Sequence, residues 1–190
     1  MKLNTSVLTA IALIFVTVMF YSCKSGPSQT AQKSGVEYYR SLQFSETPFD
    51  IEKGLHKLTP EEARTVNSYK FTYDESGRLV SVEYVRGDVL LGYSDMRAAK
   101  VEYKYDGYKQ TKYFFDKDNK PMESNGVYAY EYILDDTGMR RSMMFYDKEG
   151  KMIDNNDKIH SYTWSKLPDG MIRENRYNLA GEEVIMNEFC

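Results

Sequence analysis

Histidine and cysteine are scarce: the 190-residue chain holds two of each, and a single tryptophan. His56 and His160 stand far apart in sequence, too few for the converging ligands of a zinc site or the groups of a serine triad. No G-x-S-x-G elbow, H-E-x-x-H helix or P-loop pattern occurs. An excess of positive charge is also missing. The net charge is −3 with 28% charged residues, so no nucleic-acid partner is expected. Long hydrophobic runs are absent except for one, "VLTAIALIFVTVMFY" at Val7–Tyr21. Its 15 residues fall short of the about 20 that a membrane-spanning helix requires.

That run follows Lys2, stops at Ser22-Cys23 and gives way to the polar stretch "KSGPSQTAQKSG". A positive start, an apolar core and a small residue at the break are the parts of a signal peptide. The junction resembles a bacterial lipoprotein lipobox, although Phe20 and Tyr21 depart from its usual Leu-and-small-residue pattern. The resemblance implies cleavage after residue 22, a lipid on Cys23, and anchoring to a membrane outside the cytoplasm. An uncleaved signal anchor is the alternative, with the same extracytoplasmic placement. In one export pattern, lipoproteins carried to the cell surface have acidic residues close behind the cysteine. Here there are none, which favours the periplasmic side. With Cys23 lipidated, Cys190 has no partner within the chain; a frayed terminal thiol is expected rather than an intermolecular disulfide. Residues 23–35 read as a flexible tether.

The abundant residue is tyrosine, 17 of 190, a ring that covers a pleated face while its hydroxyl reaches water. Residues 36–66 form an N-terminal segment without clear period. Within it "LTPEEARTVN" places Thr59 as a cap, Pro60 at the first helical position and Glu62 as the partner of a capping box. A short helix over Pro60–Val66 is expected. Residues 67–190 then alternate aromatic and polar positions in "SYKFTY", "VEYKY", "VYAYEY" and "IHSYTW", the pattern of strands with one covered face. Tyr84, Phe115, Tyr146 and Tyr177 follow one another at 31-residue spacing, and turn residues precede each. The expected fold is therefore mainly β: an antiparallel meander of about four 31-residue hairpin units. A single sheet must have its aromatic face covered, by its own curvature, by the N-terminal segment or by a partner.

"YDESGRL" at Tyr73–Leu79 resembles the core of the tyrosine–aspartate (RHS-like) repeats, and "YDGYKQ", "LDDTGMR" and "LPDGMIR" look like degenerate copies. The 31-residue period exceeds the roughly twenty residues usual in that family. The resemblance implies an exported hairpin architecture and carries no activity.

Three chemistries remain to be weighed. "DKDNKPMESNG" and "DNND" bring oxygen ligands together as calcium requires, but they lack an EF-hand's glycine and distant glutamate, and turn formation suffices to explain them. No metal or cofactor is expected. A carboxylate pair could serve acid–base hydrolysis, although most acidic residues lie in turns. Tyr103, Tyr105, Tyr130, Tyr132, Tyr162 and Trp164 share one strand face and form a candidate platform for a sugar ring or peptide, or else an ordinary sheet core. The expected role is non-catalytic: binding or scaffolding of an envelope protein or glycan. A glycan hydrolase and an inhibitor of a partner enzyme are the alternatives. Mass spectrometry of membrane fractions is expected to find a diacylated Cys23. A Cys23→Ala variant that stayed equally membrane-bound would remove the anchor.

Overall fold

The computed structural model describes residues 35–185. The expected signal peptide, Cys23, all of the tether but Gly35, and Cys190 lie outside them. Eleven antiparallel strands form one open sheet. In chain order they are β1 (Gly35–Leu42), β2 (Gly54–Leu58), β3 (Ser68–Tyr73), β4 (Leu79–Arg86), β5 (Val89–Leu90), β6 (Lys100–Asp106), β7 (Lys109–Phe115), β8 (Ala129–Leu134), β9 (Arg140–Tyr146), β10 (Ser161–Lys166) and β11 (Ile172–Tyr177). Across the sheet the order is β2-β1-β3-β4-β6-β7-β8-β9-β10-β11, with β5 extending β4. The sheet thus begins at Gly35, the last residue of the expected tether, and β1 and β2 run through the segment whose sequence shows no period.

Between β2 and β3 stands α1 (Pro60–Thr65). Thr59 Oγ1 accepts from the Glu62 amide at 3.2 Å, and the Glu62 carboxylate accepts from the Thr59 amide at 2.7 Å. This reciprocal cap satisfies two amides that a helix N-terminus otherwise leaves bare. The helix is short because Asn67 is followed at once by strand residues. Its Ala63 is buried, and the Ala63 carbonyl accepts from the Gly87 amide.

One face of the sheet carries the core in successive cross-strand rows. Phe71, Val82, Val101 and Phe114 are paired neighbours across β3, β4, β6 and β7, and all are buried. The next row runs Tyr103, Lys112, Tyr130 and Phe145, and the one beyond it Tyr105, Gln110, Tyr132, Met143 and Tyr162. Such pairs are the unit of sheet stabilisation. The opposite face carries cross-strand ion pairs such as Lys70–Glu83 at 2.9 Å, each worth at most about 1 kcal/mol in water.

A five-residue turn recurs along the meander, starting at Asp74, Asp116, Asp135, Asp147, Asn155, Leu167 and Asn178. In each, the amide of the first residue donates to the carbonyl of the fifth. The fourth residue has positive φ: Gly at most turns, Asn119 and Lys158 at two. At Asp116 and Asp147, side-chain Oδ1 accepts two amides, two and four residues on, at 2.7–3.0 Å. The same double bond holds Asp74, Asp135 and Asn155. These oxygens therefore organise backbone. Past the turn, the Phe114, Phe145 and Arg176 carbonyls accept from Met122, Ile153 and Val184, at 31-residue spacing. At Tyr84 the chain does otherwise and forms the β4–β5 hairpin extension.

The sheet is curled. From β1 to β11 there are eight inter-strand steps, about 38 Å if flat. Yet Thr47, five residues past Leu42, donates to Glu174 of β11 at 2.9 Å, and five extended residues reach only about 18 Å. Residues 43–53 lie as a strap across the aromatic face, so the N-terminal segment contributes the cover. Where the strap rejoins the sheet, Gly54 lies against the Tyr39 ring, and a Cβ there would sit 2.1 Å from its Cγ. Gly54→Ala is expected to cost about 1–3 kcal/mol through displacement of that ring, read as a lowered midpoint in denaturant. An unchanged midpoint would contradict the close packing.

Candidate functional site

The strap is built as a closed loop: the Gln43 amide donates to the Lys53 carbonyl at 2.8 Å, and the tip turns at Glu46–Phe49. Pro48 is buried, while Phe44 and Phe49 face outward. Its attachments to the sheet are polar. At the tip, Glu174 accepts from Thr47 and from Trp164 Nε1 at 2.7 Å. On the returning leg Asp50 pairs with Arg140, and Glu52 accepts from Lys112 Nζ at 2.5 Å and from the Tyr103 hydroxyl. Glu52 and Lys112 side chains are 7% and 8% exposed, and Arg140 is 5% exposed. Charges so buried are tolerated only when paired and fully hydrogen-bonded.

Each buried cation reaches the core face for a local reason. In "KQTKYFF" the strand period puts Gln110, Lys112 and Phe114 on one face. Arg140 arrives by a β-bulge: Ile133 pairs with Ser142 but Leu134 pairs with Arg140, so Arg141 is left over and the alternation shifts by one. The equivalent bulge after the Asp74 turn brings in Leu79, an apolar side chain. The Arg140 guanidinium lies 3.5 Å from the Tyr132 ring centroid and donates from Nε and Nη2 to Gln110 Oε1 at 3.0 and 2.8 Å. Gln110 Nε2 donates to the Tyr105 hydroxyl, which donates to the Leu79 carbonyl. The Tyr132 hydroxyl is buried without a hydrogen-bond partner among the described residues.

Burial pushes the Glu52 carboxyl up, but the Lys112 charge and hydrogen bond, with the Tyr103 hydroxyl, outweigh it and hold Glu52 below the usual carboxylate range. Tyr103 and Tyr132 are pushed well above the ordinary phenol value, chiefly by desolvation, so both stay neutral.

A cavity of about 520 Å³ opens between the strap's two legs, the loop between β5 and β6, and the β7–β8 side of the sheet. Asp50 and Glu52 line it together with Arg97, Phe114 and Tyr130, and Phe44 stands at its rim. No protein-family model, curated protein or solved structure matches the chain.

The six rings of the expected aromatic face do share that face, but not as an open platform. Tyr103, Tyr132 and Trp164 are buried, and Tyr105, Tyr130 and Tyr162 are half-buried. Phe114, Tyr130, Phe145 and Tyr162 form an edge-to-face chain with centroids 4.8, 5.0 and 5.9 Å apart, and Trp164 stacks on Tyr162 at 6.0 Å. This is core packing. Only Tyr130 of the six lines the cavity. Of the oxygen-rich stretches, Asp116 and Asp147 serve their turns, Asp157 accepts from Asn125 and Asp154 from the Leu179 amide. Among the described residues no cluster of three His, Cys, Asp or Glu is placed to hold a metal. His160 Nδ1 lies 3.0 Å from the Ile153 carbonyl, and His56 is exposed on β2.

Sequence reasoning missed Asp50, Glu52, Arg97, Gln110, Lys112 and Arg140. Gln110 and Lys112 had a signal, since two polar residues in register with Phe114 on a covered face require buried partners. Because Glu52 is depressed in the folded state, its contribution is full above the ordinary value of 4.5 and is lost as pH falls through the lower folded value. In Lys112→Met the sign reverses. Glu52 is then buried without its cation, its folded value rises above the unfolded one, and stability grows as pH falls. The variant is expected to lose about 3–5 kcal/mol at neutral pH, with much of it restored by adding Glu52→Gln. Denaturant titrations between pH 3 and 7 test both slopes.

Proposed function

We propose that the protein is a lipid-anchored, extracytoplasmic lipoprotein that serves as a non-catalytic binding module of the cell envelope. Cys23 carries the anchor, residues 23–35 the tether, and about four hairpin units of 31 residues the scaffold that presents the strap and its cavity. The periplasmic side of the membrane is the favoured placement, from the lack of acidic residues behind Cys23. The observation that carries the reading is the state of the cavity's carboxylates. Hydrolysis of a glycosidic bond by two carboxyl groups needs one of them protonated, with a raised pKa. Here Glu52 is held down by Lys112, and Asp50 is engaged by Arg140. Glu52, so held, suits fixed polar recognition rather than proton delivery.

A second reading, an inhibitor that blocks a partner enzyme, is favoured by the strap's outward side. Phe44 and Phe49 are 84% and 53% exposed on one protruding loop. The test is to mix the full chain with purified envelope polysaccharide. Co-sedimentation without new reducing ends is the expected result. Reducing ends that appear and then vanish in Asp50→Asn would make the protein a hydrolase.

A further inference from the structure

Arg97 holds a position that the fold alone does not explain. Its φ is +57°, in the left-handed region that costs a non-glycine residue about 1–2 kcal/mol. The turn around it is fixed on every side. The Arg97 amide donates to the Ser94 carbonyl at 2.9 Å, and Ser94 Oγ donates to the Ala98 carbonyl at 2.7 Å and accepts from the Met96 amide at 3.2 Å. The Tyr69 hydroxyl donates to Asp95 at 3.1 Å, while Met96 and Ala98 are buried on either side of Arg97. The turn presents two exposed side chains at the cavity, Asp95 and Arg97, and that of Arg97 makes no ion pair or hydrogen bond with the described residues.

The other cations of the cavity are committed, whereas the exposed Asp95 carboxylate pairs with no cation among the described residues. Lys112 is matched by Glu52 and Arg140 by Asp50, and Asp95 Oδ2 takes the Tyr69 hydroxyl. Arg97 is left as the cavity's cation without an ion-pair partner among the described residues, and its planar fork can hold a carboxylate by two parallel hydrogen bonds. The rest of the cavity sets what must be attached to that carboxylate. Tyr130 gives a half-buried ring, Phe44 stands open at the rim, and Asp50 and Asp95 each retain an oxygen free to accept from a hydroxyl.

Resting on the binding-module reading, we infer that this cavity takes an acidic saccharide, with its carboxylate on Arg97 and its ring against Tyr130. A volume of about 520 Å³ accommodates one or two sugar rings.

The test uses the full chain in a non-glycosidic detergent, with calorimetric titration of glucuronate, glucose and inorganic phosphate. Glucuronate is expected to bind at least tenfold more tightly than either of the others. Arg97→Asn, which removes the charge yet tolerates the left-handed backbone, is expected to erase that preference while keeping or raising the melting temperature. Arg97→Gly serves as a second variant with the same expectation. Glucose binding as tightly as glucuronate would overturn the acidic class, and phosphate doing so would overturn the saccharide. Glucuronate binding that Arg97→Asn leaves unchanged would place the site elsewhere and overturn the inference. If none of the three binds while polysaccharide still co-sediments, the inference fails and the binding module stands. If the polysaccharide is also ignored, both fail.

Discussion

A lone sheet has two faces, and water tolerates only one of them when the other is lined with phenylalanine, tyrosine and valine. The whole architecture follows from how that second face is closed. No layer of helices and no second sheet is present among the described residues; eleven residues of strap and the curl of the sheet do the work. So short a segment buries little apolar area beyond Pro48 and Ile51, and its hold is mainly polar. The Glu52–Lys112 and Asp50–Arg140 pairs, joining residues 60 and 90 apart in the chain, set where the strap lands. Buried pairs of this kind add little net stability, since desolvation offsets most of their attraction. What they supply here is register. A strap shifted by one residue would leave two cations buried without partners, so alternative seatings are strongly disfavoured.

The same constraint explains the cavity. A strap that is polar at its contacts cannot mould itself to the aromatic rows as an apolar helix would, and a gap persists between its legs. Two ion pairs around that gap, Glu52–Lys112 and Asp50–Arg140, meet the requirements of folding, with Arg97 and Asp95 standing outside them. The proposed recognition surface thus lies next to the seam between cover and sheet, not on the aromatic face.

Local features were legible in the sequence, and distant ones were not. Thr59, Pro60 and Glu62 announce α1 because a capping box is complete within four residues, and the observed helix ends one residue before the expected limit. Aspartate turns and alternating aromatics announce strands for the same reason: the determining interactions lie within a hairpin. β1 escaped because Tyr38 and Tyr39 are adjacent and break the alternation, while β2 is short and contains His56 at positive φ. The strap escaped because its anchors are 60 and 90 residues away and "DIEK" looks like any solvated loop. Arg140 was hidden by the bulge, which moves it to the face that simple alternation assigns to Arg141. The Asp116 and Asp147 stretches, whose oxygens turn formation sufficed to explain, are backbone joints.

The Thr47–Glu174 bond spans 127 residues, whereas each hairpin closes over a handful. Loop entropy favours the short closures first, so the strap is made early and seated last. Throughout synthesis the rows of rings on β6 to β10 stand bare until the final hairpin has arrived to receive the tip. For the export proposed above, such a late latch would keep the polypeptide threadable. It also leaves a sticky trough exposed until the tip is seated.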